Sequence, residues 1–382
     1  MKILFLMRSF NYGGAERQAI LLAKGLRDRG HQPVVAVFYC GGPLEKDLYE
    51  GGIPIIDLSK RGRWDLLRFF PRLVKVLRRE RPDVLLGYLF EPNLLTVALK
   101  PFLPSCKIVW GVRNSNFEFD RYDWVFRLSF KLNCWLSRFA DAIIANSRVG
   151  RDYHVSHGFP MASTLVIPNG IDTERFHPDS SSRRRIRGDW GVRDDDKLIG
   201  IVGRLAPMKD HPNFLRAAAL LMREQSNLRF VCVGDGPPDY RASLYELAGT
   251  LGVTNQIIWV EGQKDMPAVY SALDVLVSSS SHGEGFANVI GEAMACGVPC
   301  AVTDVGDSAW VVGNRGEVVP AKDPEALKNA IGKLLDQMPY AAAQIRQRIV
   351  EELSADHLIL KTEGLLHKLI QGRQWSHIWG VE

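Results

Sequence analysis

Short runs rich in Val, Ile and Leu alternate with amphipathic stretches along almost the whole chain, and that rhythm most narrows what it can fold into. In the first half the strand-length runs are 3–7, 34–39, 53–57, 84–87, 107–111 and 142–145, with helical patterns between them, as at 15–29 and 65–80. This β-α-β-α alternation predicts a parallel sheet covered by helices on both faces. After Leu165 the text changes: IPNGIDTERFHPDSSSRRR carries two Pro, an Asn-Gly turn and a Ser/Arg run, which reads as a linker. The rhythm restarts at 198–202, 230–233, 257–260, 275–277 and 300–303. The fold class is therefore α/β with two doubly wound, Rossmann-like parallel-sheet domains, and 382 residues suffice for both. The expected boundaries are a first domain over 1–167, a linker over 168–185, a second domain over 186–353, and a helical segment over 354–382 that could pack back on the first. Open parallel sheets bind ligands at the carboxyl ends of their strands, so two such domains predict a shared cleft.

Composition removes several classes. Six cysteines in mostly apolar contexts without CxxC spacing read as reduced thiols, so neither a disulfide framework nor a zinc site is expected. The apolar runs fall far short of the roughly 20 residues of a membrane span. MKILFLMRSF reads as a first buried strand and not as a signal peptide, which suggests a cytoplasmic location. The formal net charge of +5 averages two unequal parts: residues 1–165 hold 25 basic and 15 acidic residues, the remainder 23 and 28. The basic excess hints at an anionic surface or ligand. It is densest at 60–83, with nine Lys or Arg against three acids, where Leu66, Leu67, Phe70, Leu73, Val74 and Leu77 form a helical stripe. A solvated surface helix explains this pattern, and so does a basic face held against anionic lipid at the cytoplasmic side of a membrane. The aromatic and basic run 122–139 could help or be a buried helix. No nucleic-acid-binding module accompanies the charge, so no nucleic acid is expected.

The chemistry-bearing motifs are three. Asn11-Tyr12-Gly13-Gly14-Ala15-Glu16 follows the first strand and opens a helix, where two glycines let backbone amides approach an anion; a ligand-free tight turn reads equally well. VGRLAPMKD places Arg204 at a strand end and Lys209 just before a helix, a planar fork and a mobile point charge suited to a diphosphate. In SSSSHGEGFANVIGEAMACGVPC, Glu284 lies in a Gly-rich loop and Glu292 in the following helix, where sugar or ribose hydroxyls would satisfy them. Gly285, Phe286 and Ala287 supply amides at that helix N-terminus. The triplet Asp194, Asp195 and Asp196 reads as a solvated turn and not as a metal pair.

The motifs GGAE (13–16), NGID (169–172), VGRLAPMKD (202–210), VGDGP (233–237), EGFANVIGE (284–292), ACGVPC (295–300) and TDVGD (303–307), in this order, resemble the family-4 retaining glycosyltransferases of GT-B architecture, the group 1 glycosyl transferases. The resemblance implies that Arg204 and Lys209 bind the donor diphosphate, Glu284 the transferred sugar and Glu292 the nucleotide ribose. It implies that amides around Gly285, Phe286 and Ala287 contact sugar and phosphate, that Gly14 approaches the same phosphates, and that the base sits between Gly234 and the 261–263 turn. No metal and no cofactor is implied, the nucleotide sugar being a co-substrate and the positive groups an oxyanion clamp. Where many relatives carry a His after the strand at 107–111, this chain has GVRNSNFEFD, so Arg113, Asn114 or Asn116 stands there. The loop after TDVG has Ala309 and Trp310 where many relatives have Glu.

The function expected is retaining transfer of a hexose or N-acetylhexosamine from a nucleotide diphosphate sugar to a glycan or lipid-linked glycan, in cell-surface polysaccharide synthesis. On family frequency UDP is the first choice of nucleotide and GDP the second. Two alternatives stand beside it: a nucleotide-sugar epimerase of the same shape, which needs no acceptor, and a non-catalytic sugar-nucleotide binding protein.

Overall fold

The computed structural model describes residues 1–62, 64–113, 115, 123–338 and 342–372. The chain forms two compact units, one of Met1–Gly170 together with the segment from Ala355 onward, the other of Ile171–Ser354.

The first unit is a seven-stranded sheet of β1 (Lys2–Met7), β2 (Gln32–Val37), β3 (Ile55–Asp57), β4 (Val84–Tyr88), β5 (Lys107–Val112), β6 (Ala142–Ala145) and β7 (Thr164–Val166). Its order is β3-β2-β1-β4-β5-β6-β7, with every pair parallel. The helices are α1 (Gly14–Asp28), α2 (Glu45–Glu50), α3 (Leu66–Glu80), α4 (Phe90–Leu99), α5 (Trp124–Leu136) and α6 (Arg148–Ser156). Both faces of the sheet are covered: Ile3, Phe5 and Met7 enter one apolar cluster while Leu4 and Leu6 enter another. That is why β1 reads as a continuous apolar run and not as an alternating one.

The second unit contains α7 (Ser180–Asp189), β8 (Lys197–Val202), α8 (His211–Leu221), β9 (Leu228–Val233), α9 (Pro238–Thr250), β10 (Ile257–Val260), α10 (Met266–Ala272), β11 (Val275–Ser278), α11 (Asn288–Ala295), β12 (Cys300–Thr303), α12 (Ser308–Val312), β13 (Glu317–Val319), α13 (Pro324–Asp336) and α14 (Ala342–Glu352). Its six parallel strands run β10-β9-β8-β11-β12-β13. In both sheets the order reverses at one place, between β1 and β4 and between β8 and β11, and loops leaving such a switch point diverge to open a crevice. Finally α15 (Ala355–Ile370) returns to the first unit, burying Leu358, Ile359, Leu365, Leu366 and Leu369 with residues of α1.

Four expectations are corrected. The Ser/Arg run read as linker over 168–185 is helical from Ser180: Asp179 caps α7 by accepting from the Ser181 and Ser182 amides. Its arginines are internal fastenings, since Arg183 and Arg187 both pair with buried Asp274 and Arg187 also donates to the carbonyls of Ala272, Arg193 and Asp196. In α3 the buried face is Phe69, Leu73, Val76 and Leu77, while Leu67 is 92% exposed. More apolar side chains lie along this helix than one face can bury, and contacts such as the Phe38–Phe69 edge packing at 5.0 Å choose among them. Asp196 is not solvated but buried, accepting from the Arg193 amide at 3.0 Å. The edge strands β7 and β13, three residues each, lie outside the expected runs because edges need fewer apolar residues.

Among the described residues no helix is long and apolar enough to cross a membrane.

Candidate active site

Lys209 follows β8 and Glu284 follows β11, the two strands that flank the switch point of the second sheet. Seventy-five residues apart in the chain, they form an ion pair, and Ser280 donates its hydroxyl to the same Glu284 Oε1 at 2.9 Å. Burial pushes the Glu284 carboxyl up, but Lys209, Ser280 and then Arg204 outweigh it and hold it below its ordinary value, so it is ionised at neutral pH. Arg204 itself is exposed. Lys209 closes a single 3-10 turn, Pro207–Lys209, and Asp210 after it takes the left-handed conformation, φ 48°. Ser279 holds that uncommon backbone by donating to the carbonyls of Lys209 and Asp210 at 2.9 and 3.0 Å, which fixes where the ammonium starts.

The loop carrying Glu284 is clamped from two sides. The Ser281 amide donates to Met208 O at 2.8 Å and the Asp307 amide to Gly285 O at 2.9 Å. Gly306, at φ 62°, packs so closely that a Cβ would stand 2.6 Å from the carbonyl oxygens of Glu284 and Gly285. Gly285, Phe286 and Ala287 lead into α11, whose N-cap Ala287 offers no side-chain cap, while the Ile290 amide turns back to donate to Ala287 O at 3.1 Å. Glu292, in α11, is buried and accepts from Tyr270 Oη at 2.7 Å. Gly234 directly follows the neighbouring β9 with φ 146°, and a Cβ there would stand 2.1 Å from Gly203 O.

In the first unit, Gly13 and Gly14 open α1 without a side-chain cap, but the chain's own Glu16 closes the turn: a Cβ on Gly13 would lie 2.0 Å from Glu16 Oε2. Burial raises the Glu16 pKa, offset in part by a hydrogen bond to its own amide. Arg113, after β5, is already engaged. It donates to Tyr88 Oη at 2.6 Å and Asn169 Oδ1 at 3.0 Å and lies 4.6 Å over the Tyr88 ring. Asn114 and Asn116 lie outside the described residues. Two participants escaped the sequence reading. Ser280 and Tyr270 carry common residue types with no motif. The buried His211 and Asn213 open α8, and among the described residues their ring and amide atoms have no hydrogen-bond partner. Burial first, then the Lys209 charge, lowers the His211 pKa to about 4, so its imidazole is neutral at physiological pH.

Comparison with known proteins accords with this geometry. Residues 12–175 match the glycosyltransferase family 4 and residues 182–351 the glycosyl transferases group 1. The chain belongs to the family 4 and group 1 glycosyltransferases. The chain is 32% identical over 214 residues to the GDP-mannose-dependent alpha-(1-6)-phosphatidylinositol monomannoside mannosyltransferase of Mycolicibacterium smegmatis, covering 53% of this chain and 55% of the relative. It is 35% identical over 208 residues to the D-inositol 3-phosphate glycosyltransferase of Saccharomonospora viridis, covering 51% and 47%. The chain thus spans about half the length of the curated relatives it matches. Its fold is that of GT-B enzymes: HepE of Anabaena, solved with UDP-glucose, superposes with TM-score 0.84 at 24% identity over 96% of this chain and 100% of HepE. A glycosyltransferase of Rickettsia africae superposes at 0.83 with 17% identity over 97% and 99%.

Proposed function

We propose that the chain is a retaining hexosyltransferase that moves a hexose or N-acetylhexosamine from a nucleotide diphosphate sugar to a glycan or lipid-linked glycan, in cell-surface polysaccharide synthesis. The observation that carries the reading is the Lys209–Glu284–Ser280 network at the switch point of the second sheet, beside the uncapped N-terminus of α11. An ammonium has three donors and Glu284 engages one, which leaves Lys209 able to hold a diphosphate oxygen together with Arg204 and the α11 amides. Glu284 accepts a hydrogen bond from the transferred sugar, and Glu292, steadied by Tyr270, accepts from the ribose. The nucleoside lies against Gly234. In the transfer itself the bond from the anomeric carbon to phosphate breaks as an acceptor hydroxyl adds on the same face, and the leaving phosphate takes that hydroxyl's proton. Charge grows on the diphosphate, where the two cations and the amides stabilise it, so the reaction is expected to need no metal and no cofactor.

UDP is the proposed nucleotide, in keeping with the fold shared with HepE, and GDP is the second reading, favoured by the mannosyltransferase relative. A screen of UDP- and GDP-sugars by nucleotide release and thermal shift separates them, because a bound donor raises Tm with its concentration. Chelator should leave transfer unchanged. Absence of nucleotide release with every donor, with and without acceptor glycans, would sink the proposal.

The acceptor's surroundings are proposed to include an anionic membrane surface at the cytoplasmic face. Residues 60–83 supply exposed Arg68, Lys75, Arg78 and Arg79 with Trp64 and Leu67, although Arg72 is occupied by the carbonyls of Leu58 and Ser59. The same unit adds α5, which exposes Trp124, Leu128, Leu132 and Trp135 interleaved with Arg127 and Lys131, over a cavity of about 460 Å³. Apolar and cationic side chains sharing one helix face suit a headgroup layer. Sedimentation with anionic vesicles at two salt concentrations tests it, and absence of binding at both removes it.

A further inference from the structure

His31 stands in the turn between α1 and β2, and α15 lays Glu363 and His367, one helical turn apart, against it. We propose that His31, Glu363 and His367 form a zinc-type divalent metal site that fastens α15 to the first unit. The site is separate from the donor residues and does not depend on the reaction proposed above.

The geometry is near that of a three-ligand site. Glu363 Oε1 lies 2.8 Å from His31 Nε2 and 4.0 Å from His367 Nε2, and all three ligand atoms lie within 4.8 Å of one another. Metal bonds of about 2.0–2.2 Å at a tetrahedral angle separate ligand atoms by roughly 3.4 Å, so side-chain movements on the order of 1 Å bring these three around one ion. The second carboxylate oxygen is already taken: Arg29 Nε donates to Glu363 Oε2 at 2.6 Å, which orients Oε1 toward the two imidazoles.

The support is rigid where it needs to be. The His31 amide donates to Leu26 O at 3.0 Å and the next amide to Met1 O at 2.9 Å. Helix α15 is seated so closely on α1 that a Cβ on Gly25 would stand 2.1 Å from Ile359 Cδ1. His31 is nearly buried and Glu363 13% exposed, while the His367 side chain is half exposed, which leaves a fourth position open to water. Two imidazoles and one carboxylate select zinc, nickel or cobalt over magnesium or calcium. Three features work against binding and bound the affinity, the first being the Met1 ammonium, which faces His31 Nδ1 at 3.3 Å. The proton on whichever imidazole Nε2 donates to Oε1 must leave, and the Arg29 guanidinium repels a cation. Metal-ligand spacing in the sequence could not reveal the set, since His31 is 332 residues from Glu363.

The test uses the full chain stripped with chelator and then titrated with zinc or cobalt chloride. Stoichiometric uptake of one ion per chain is expected, with a saturable rise in Tm and visible cobalt bands free of thiolate charge transfer, a signature that excludes the exposed Cys40 as ligand. His367→Ala, at a half-exposed position that leaves the fold intact, and Glu363→Gln should each weaken uptake at least tenfold, while transfer stays as in the parent protein. Absence of stoichiometric uptake, equal uptake by His367→Ala and the parent, or thiolate bands in the cobalt complex would overturn the proposal.

Discussion

Two glycine-rich turns, each leaving a buried strand and opening a helix without a side-chain cap, look alike in the sequence and differ in the structure. At Gly13-Gly14 the space beside the helix start is filled by the carboxylate of Glu16 from the same turn. At 283–287 the carboxylate of Glu284 is held by Lys209 from the loop after β8, and by Ser280. The first turn is closed by its own residues. The second is assembled from two loops that only the sheet order brings together. A glycine-rich strand-to-helix turn therefore signals available amides, and whether those amides sit in a charged site depends on what the neighbouring loop contributes.

The comparison predicts unequal effects. Glu284→Ala and Lys209→Ala should each lower kcat/KM by about 10²–10³, or about 2.7–4 kcal/mol, the range for removing one preorganised charge-stabilising group. Unaltered kinetics in both would erase the distinction between the turns. Next in size, Gly306→Ala should destabilise by about 2–3 kcal/mol, because a left-handed residue would also press on two backbone carbonyls that cannot retreat. Denaturant unfolding measures this, and an unchanged midpoint would show the clamp on the Glu284 loop to be loose.

The pH dependence should differ in sign. The Glu284 pKa is depressed on folding, so its contribution to stability is present above the ordinary value of 4.5 and is lost as pH falls through the folded value. The Glu16 pKa is raised, so ionising it costs stability as pH climbs from 4.5 through the folded value. Glu284→Gln should accordingly destabilise at pH 7 and progressively less in acid, whereas Glu16→Gln should stabilise at pH 7 and lose that advantage below 4.5. Unfolding curves of both variants across pH 3–8 check the crossing, and shifts of the same sign would contradict the assigned environments. The smallest effect is expected from Gly13→Ala, under about 1 kcal/mol, since its Cβ meets only the mobile end of Glu16, which can turn away.

Much of this was legible in the residues. Continuous apolar runs such as Leu198–Val202 read as strands because both faces of a parallel sheet are buried. Arg204 and Lys209 could be singled out by their places after a strand and before a helix, and Glu284 and Glu292 because carboxylates in a glycine-rich loop and the helix after it are costly to bury without partners. Composition misled at 180–185, where Ser and Arg suggested a linker but form a capped helix whose arginines grip Asp274. Helical periodicity likewise misassigned Leu67 to the buried side of α3, since periodicity sets a spacing and not a phase.

The chain's own text determined the alternation of strands and helices, the two-sheet architecture and the residue types available for the chemistry, because those follow from local hydrophobic period and turn residues. Tertiary structure alone decided that Lys209 meets Glu284 across 75 residues, that Tyr270 steadies Glu292, that Arg113 engages Tyr88 and Asn169, and that His31 meets Glu363 332 residues later. These pairings follow from strand order and helix docking, in which burial of apolar surface fixes the backbone and the polar side chains take the partners that the packing leaves within reach.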